Sequence, residues 1–357
     1  DDNMDFIPEA DSPGYSLDAL RVVNFALVYK ITQNDTYGQA AVDKIFSFID
    51  STDRFDDSRT TVTYAFTNQG YTARYYVPGV SLTFDWAYDC FSASQRSEIN
   101  TLLDQIGDRI VDGRGASENA GSLWAYHDAS NNYWYGYMWA LTSSGYAIYN
   151  EGTNSAGTFL NYVKNTMIPE AENETKNQTL NWPGCIGNDM CDLASNKVGH
   201  SKGGEWSEGN GYGPVNTEFL FSSLLAIESG ENLNYLNDFD MQNEYILQTI
   251  HTVLPDMANN VVAGQTTGSS INGKCSLPVM LAVAAGKNST ASKYGAYYFN
   301  HSRFSGSAGD CYGYSYKYFN FFLWANMDHT SSNYEQSMNT THYAEGMRIL
   351  THRSDWT

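Results

Sequence analysis

The sequence predicts a mainly α-helical chain of helical hairpins, arranged as a toroid or solenoid. Three observations carry that reading. Apolar residues recur at helical spacing along most of the 357 residues. The helical stretches come in pairs separated by short polar breaks, the beat of a helical array. Strand signals stay weak until the C-terminal end, where Met347 to Arg353 reads as the start of a sheet.

The elements follow in order. Leu17, Leu20, Val23, Phe25, Ala26 and Tyr29 mark the first helix, and a loop around Asn34-Asp35-Thr36 leads to a second over Ala40 to Ile49. A second pair is expected from Leu82 to Phe91 and from Ile99 to Ile110. The break is Ser92-Ala93-Ser94-Gln95, with Ser94 as the N-cap. Further helices are expected at about 133–150, 155–168, 214–229, 242–255, 277–285 and 315–326. Between them lie long stretches without helical pattern, 51–79, 171–212, 257–276 and 286–312, and loops of such length often carry function. The domain reading is a helical domain over 1–340 and a strand segment or linker over 341–357.

Composition narrows the class. Charged residues are only 17%, aromatics reach 15%, and 27 of the residues are tyrosine. Amides, hydroxyls and glycine therefore do much of the solvating. Sugars stack on aromatic faces and hydrogen-bond to amides and hydroxyls, so this profile suits a secreted protein that handles carbohydrate, or equally a tyrosine-rich helical core. The net charge of −20 argues against nucleic acid and against an anionic membrane surface as partners. It also repels an acidic polymer at long range, so local cations are needed if the ligand is acidic. Arg74, Arg114, Lys202 and Lys274 are the candidates. No apolar run approaches the length of a membrane span.

The five cysteines are Cys90, Cys185, Cys191, Cys275 and Cys311. Cys185 with Cys191, and Cys275 with Cys311, are candidate disulfides, while Cys90 reads as a buried free thiol. No Cys/His cluster has zinc spacing. Glycosylation sequons stand at Asn34, Asn173, Asn177, Asn288, Asn300 and Asn339, in agreement with an exported glycoprotein. The start at Asp1-Asp2-Asn3 reads as a processed end.

Two segments concentrate chemistry. The run Gly203 to Gly213 carries glycines, Glu205, Trp206, Glu208 and Tyr212, directly before the apolar pattern of Val215, Phe219, Leu220, Leu224 and Leu225. Glycine lets a backbone approach a ligand. The second segment is His127-Asp128-Ala129-Ser130-Asn131-Asn132-Tyr133-Trp134.

Four stretches together resemble the polysaccharide lyases built on an incomplete (α/α) toroid, the heparinase II/III-like and chondroitin/alginate lyase group. Phe84 to Arg96 is similar to that group's helix and turn "YDWLYD-x-LS". Asn131-Asn132-Tyr133-Trp134-Tyr135 resembles its Asn-Asn helix start, although Tyr133 stands where several relatives carry histidine. Glu205 to Tyr212 resembles its "EG-xx-Y" loop, and Arg353-Ser354-Asp355-Trp356 resembles the strand leading from the toroid to a β-sandwich. The sandwich is largely absent from this chain, which leaves three expectations: a toroid-only fragment, a site completed by an associated β-sandwich domain or second chain, or a chain that is not catalytic.

The resemblance implies β-elimination at a uronic acid, with an acidic polysaccharide or oligosaccharide as partner and no cofactor. The C5 proton is weakly acidic, so neutralising the adjacent carboxylate is the central demand. Asn132 is the candidate neutraliser, with Asn131 as its fallback, against the plainer reading of an Asn N-cap. Tyr212 is the candidate proton donor, and the base as well if elimination is syn. His127 and His200 are further candidate bases or neutralisers. Glu208 and Glu205 would orient Tyr212 or a histidine, or hold sugar hydroxyls. Trp134 and Trp206 are the aromatics expected to be exposed to sugar, beside Lys202 and Arg74. His251, His301, His329 and His342 lack comparable context.

Two other readings compete. An inverting glycosidase on a similar barrel would use a carboxylate pair across a cleft, drawn from Glu205, Glu208, Asp85, Asp89 and Asp128. Asp85 and Asp89, four apart, would share one helical face. The third reading is a non-catalytic glycan-binding or structural glycoprotein.

Overall fold

The computed structural model describes residues 14–51, 69–112, 129, 131–152, 155–175, 201–206, 209–233, 235–238, 241–252, 276–287, 289–301, 323 and 330–356. Among them the protein is mainly helical, with one two-stranded sheet. The helices are α1 (Gly14–Thr32), α2 (Asp35–Ser51), α3 (Gln69–Trp86), α4 (Ala93–Asp112), α5 (Asn132–Ala147), α6 (Ser155–Tyr162), α7 (Ile168–Thr175), α8 (Gly209–Glu231), α9 (Met241–Thr252), α10 (Ser276–Ala285) and α11 (Thr290–His301). Strands β1 (Thr341–Ala344) and β2 (Ile349–His352) form an antiparallel hairpin, with Tyr343 opposite Leu350.

The chain divides into two compact units. The first holds Asp1–Tyr126, Gly136–Val163 and Ser315–Phe319; the second holds His127–Tyr135, Lys164–Tyr314 and Asn320–Thr357.

In the first unit α1 packs on α2 and α3. The Asn34 side chain caps α2 by accepting from the Thr36 amide at 3.0 Å. Ala41, Val42, Ile45, Phe48 and Ile49 then line one buried face at helical spacing. Helix α3 begins at Gln69, inside the stretch read from sequence as loop, and ends at Trp86 rather than running on to Phe91. Two features hide it. Pro78 lies inside the helix and removes one hydrogen bond. Residues 73–80 are all buried, so no polar face alternates with an apolar one. Gly79 lets α1 come close: a Cβ there would lie 2.6 Å from the Ala19 backbone.

After α3 the chain turns through a 3₁₀ segment, Tyr88–Cys90. Asp89 therefore sits off the helix that carries Asp85, and the two do not share a helical face. The cap of α4 is Ser92, not Ser94. The Ser92 hydroxyl accepts from the Gln95 amide at 3.3 Å, and the Gln95 side chain accepts from the Ser92 amide at 2.9 Å. This is a capping box, whose Ser-x-x-Gln spacing fits Ser92 alone. Arg96 lies over the Tyr88 ring at 3.9 Å, and the Tyr88 hydroxyl donates to Glu151 at 2.6 Å. Cys90 is a free thiol, half-buried rather than buried, because it ends the 3₁₀ turn instead of lying inside a helix.

In the second unit α9, α10 and α11 pack together, and α10 packs on α8. Helix α11 also falls where sequence predicted loop. The Ser289 hydroxyl before it accepts from the Ser292 amide at 3.0 Å, and a Cβ on Gly295 would lie 2.7 Å from the Val283 side chain of α10. Close packing at a glycine outweighs that residue's poor helix propensity. Helix α8 starts at Gly209, so Tyr212 lies in its first turn and not on an extended loop. Glycines and Pro214 near its start conceal that turn in the sequence.

The hairpin is fastened to α9 by the tail. The Arg353 guanidinium donates to the carbonyls of Ile250 and His251 at 3.1 and 3.3 Å. A cation bonding the last carbonyls of a helix satisfies orphan acceptors and complements the helix dipole. The same guanidinium lies 4.9 Å from the Trp356 ring, and the Trp356 indole donates to the Met338 carbonyl at 3.0 Å. The expected helix over 315–326, the loop 257–276 and Cys185, Cys191, Cys275 and Cys311 lie outside the described residues, apart from the single helical residue Leu323.

Candidate functional site

Asn131 caps α5: its side-chain oxygen accepts from the Tyr133 amide at 2.8 Å. The capping role therefore belongs to Asn131, which leaves Asn132 as the first helical residue. Both asparagines are buried, at 4% exposure. Trp134 and Trp206 are buried too, at 1% and 4%, which corrects the expectation that they face solvent. Trp134 lies in a helix whose first turns are apolar almost all round. Trp206 packs edge-on against Tyr135, with ring centroids 5.3 Å apart. On its other side, a Cβ at Gly213 would lie 2.8 Å from the Trp206 Cβ.

Trp206 thus joins the first turn of α5 to the first turn of α8. Asn132 precedes Tyr135 by three residues, and Tyr212 immediately precedes Gly213. The two segments singled out from sequence meet in one unit, and Tyr212 is half-buried where they meet. One turn further along α8, Asn216 is 1% exposed and neither polar atom of its amide has a hydrogen-bond partner. Sequence reasoning passed over Asn216, although its i+4 spacing from Tyr212 was visible.

The strap 201–206 is held from two sides. Gly203 and Gly204 adopt φ of +87° and +85°. The Gly203 amide donates to the Glu244 carboxylate at 2.8 Å, and the Gly346 amide donates to the Lys202 carbonyl at 2.9 Å. A Cβ on Gly204 would run into the Glu244 carbonyl. Glu205 is 5% exposed and accepts a short hydrogen bond from Gln248 of α9. Lys202 pairs with Glu345 at 2.6 Å. Arg74 belongs to the first unit and is 1% exposed, and a Cβ on Gly136 would lie 2.6 Å from its side chain. His127, His200, Glu208, Asp128, Arg114 and Lys274 lie outside the described residues. So do Asn177 and Asn288, whereas Asn34 and Asn339 are exposed and Asn173 and Asn300 stand on α7 and α11.

Packing of the hairpin on α9 brings together His342 and His251, two histidines that sequence offered no reason to choose. The His342 Nε2–H donates to the Gly203 carbonyl at 2.8 Å, which fixes the proton on Nε2. His251 stacks on His342 and meets the Trp356 edge at 5.0 Å. Burial, His342 and Arg353 lower the His251 pKa to about 4. A cleft of about 480 Å³ opens beside these rings, between α9, the start of α11 and residues 337–342. The spacing Asn243, Leu247, His251 puts one face of α9 along it.

Among the described residues no three His, Cys, Asp or Glu side chains form a metal-binding group, and no helix is long and apolar enough to cross a membrane. No protein-family model matches the chain, and no curated protein matches it.

Proposed function

We propose that this chain is a polysaccharide lyase that cleaves a uronic-acid glycan by β-elimination, on a helical toroid. The observation that supports the proposal is the Trp206 junction, where the segment that carries Asn131 and Asn132 and the segment that carries Tyr212 both pack against one tryptophan.

In this reading the Asn132 amide donates to the uronate carboxylate and spreads the charge that develops as C5 loses its proton. A base takes that proton; Tyr212 or a histidine of the flanking segments serves. The electron pair forms the C4–C5 double bond as the C4–O4 bond breaks, and Tyr212 protonates the departing oxygen. Asn216, buried beside Tyr212 with a free amide, is a second donor for the carboxylate. Glu205, held in the strap by Gln248, orients the strap or holds sugar hydroxyls. Lys202, paired with Glu345 beside the strap, is a candidate cation for an acidic polymer, and secretion follows from the same reading. Tyr343 and Leu350, opposite each other on the hairpin and 51% and 65% exposed, support association with a further β-domain or second chain.

Incubation with a panel of uronate polymers tests the class. A lyase produces ultraviolet-absorbing unsaturated chain ends. Reducing ends without that absorbance identify a hydrolase, and neither product identifies a binding protein.

A further inference from the structure

The cleft beside His251 takes no part in the elimination chemistry, and its lining has a distinctive character. Among the described residues no carboxylate, ammonium or guanidinium lines it. An ionic ligand would therefore lose hydration without gaining a counter-charge. The lining is instead amide, hydroxyl and imidazole around a small apolar patch, Leu247 and Met338. Groups that both donate and accept, set beside apolar carbon, complement a sugar ring, with its hydroxyls and its C–H faces.

Part of the polar set is pre-arranged. The Ser289 hydroxyl donates to the Asn243 side-chain oxygen at 2.6 Å, which turns the Asn243 NH₂ away from that bond. The Tyr294 hydroxyl and Ser337 hydroxyl bond each other at 2.9 Å. His251 supplies the decisive sign. It is 3% exposed, lines the cleft, and its Nδ1 has no hydrogen-bond partner. A buried polar atom left unpaired costs stability unless something else satisfies it. His342 is already engaged through Nε2, whereas the Nδ1 of His251 has no hydrogen-bond partner. The volume of about 480 Å³ lies within the range of small-molecule sites.

We propose that this cleft is a binding site for a neutral saccharide unit, held by Asn243, His251 and the hydroxyls of Ser337 and Thr341. Two sources supply such a unit. One is a free or polymer-borne sugar; the other is a glycan carried on Asn339, which lines the same cleft and begins a sequon. The proposal does not depend on the lyase reading, since its ligand is uncharged and its residues are different.

The test is titration of the whole chain, and of its Asn339→Gln variant, with N-acetylglucosamine, galactose and mannose. The readout is the imidazole ¹H–¹⁵N resonances of His251 and His342. Saturable shifts with a dissociation constant of about a millimolar are expected for one of these sugars. Shifts in both proteins identify a free saccharide as the ligand; shifts only after Asn339→Gln identify the chain's own glycan. Binding should weaken at least about tenfold, or 1.4 kcal/mol, in Leu247→Trp, which fills the cleft, and in His251→Gln. No saturable shift with any sugar in either protein overturns the site. So does unchanged affinity in either of those two variants when folded. The resonances of the parent chain alone decide the matter if neither variant folds.

Discussion

The imidazole of His251 lies almost parallel to that of His342, ring centroids 5.3 Å apart and planes inclined by 19°. The pair ties the end of α9 to β1, and His342 in turn grips the glycine strap through the Gly203 carbonyl. Two stacked imidazoles beside Arg353 tolerate little positive charge. Burial of the ring, and then that charge, lower the His251 pKa from 6.5 to about 4.

Acid should therefore weaken the second unit. The folded value lies below the unfolded one, so as pH falls the unfolded chain takes up the proton first. The contribution is intact above about pH 6.5, declines between 6.5 and 4, and is gone below that. Its full size is roughly 3 kcal/mol. Urea midpoints measured from neutral pH downwards should show this slope, and His251→Gln should lose it. An unchanged slope in the variant would assign the acid sensitivity to other groups.

Alanine at Gly203 or Gly204 should be costly. Each residue combines positive φ with backbone packed against it. Strain of about 1–2 kcal/mol and overlap of about 1–3 kcal/mol add to a loss of roughly 3 kcal/mol. Gly157 of α6 is the control. A Cβ there meets nothing within 4 Å, so Gly157→Ala should stabilise by about 0.5–1 kcal/mol. Chemical denaturation of the three variants checks both signs.

Arg353→Gln removes a charge-assisted cap from the α9 carbonyls and leaves Trp356 without its cation. A loss of about 2 kcal/mol is expected. Hydrogen exchange should rise at the end of α9 and in the hairpin while α1 to α3 stay protected. Uniform change across both units would contradict this local role.

Helices with one apolar face were plain in the sequence, as α2 and α4 illustrate. Helix α3, buried almost all round and interrupted by Pro78, was not, and α11 was hidden by the glycine at its closest packing. The Arg353-Ser354-Asp355-Trp356 motif was visible, but its work of closing α9 depends on contacts a hundred residues away. The two chemical segments were legible from composition. Their junction through Trp206 was not, because an exposed sugar platform and a buried wedge look identical as a tryptophan between glycines. His251 and His342 had no local signal at all, since their partners come from other elements.

The central claim is that a phenol and a carboxamide from these two segments serve one sugar ring. Tyr212→Phe tests it most directly, with turnover followed by the absorbance of unsaturated uronate ends on the polymer the parent chain cleaves. The account predicts a fall of about 10²–10⁴-fold with the fold intact, the usual worth of a positioned proton donor. Full activity in the folded variant, or a parent chain that releases no unsaturated ends from any uronate polymer, would contradict it.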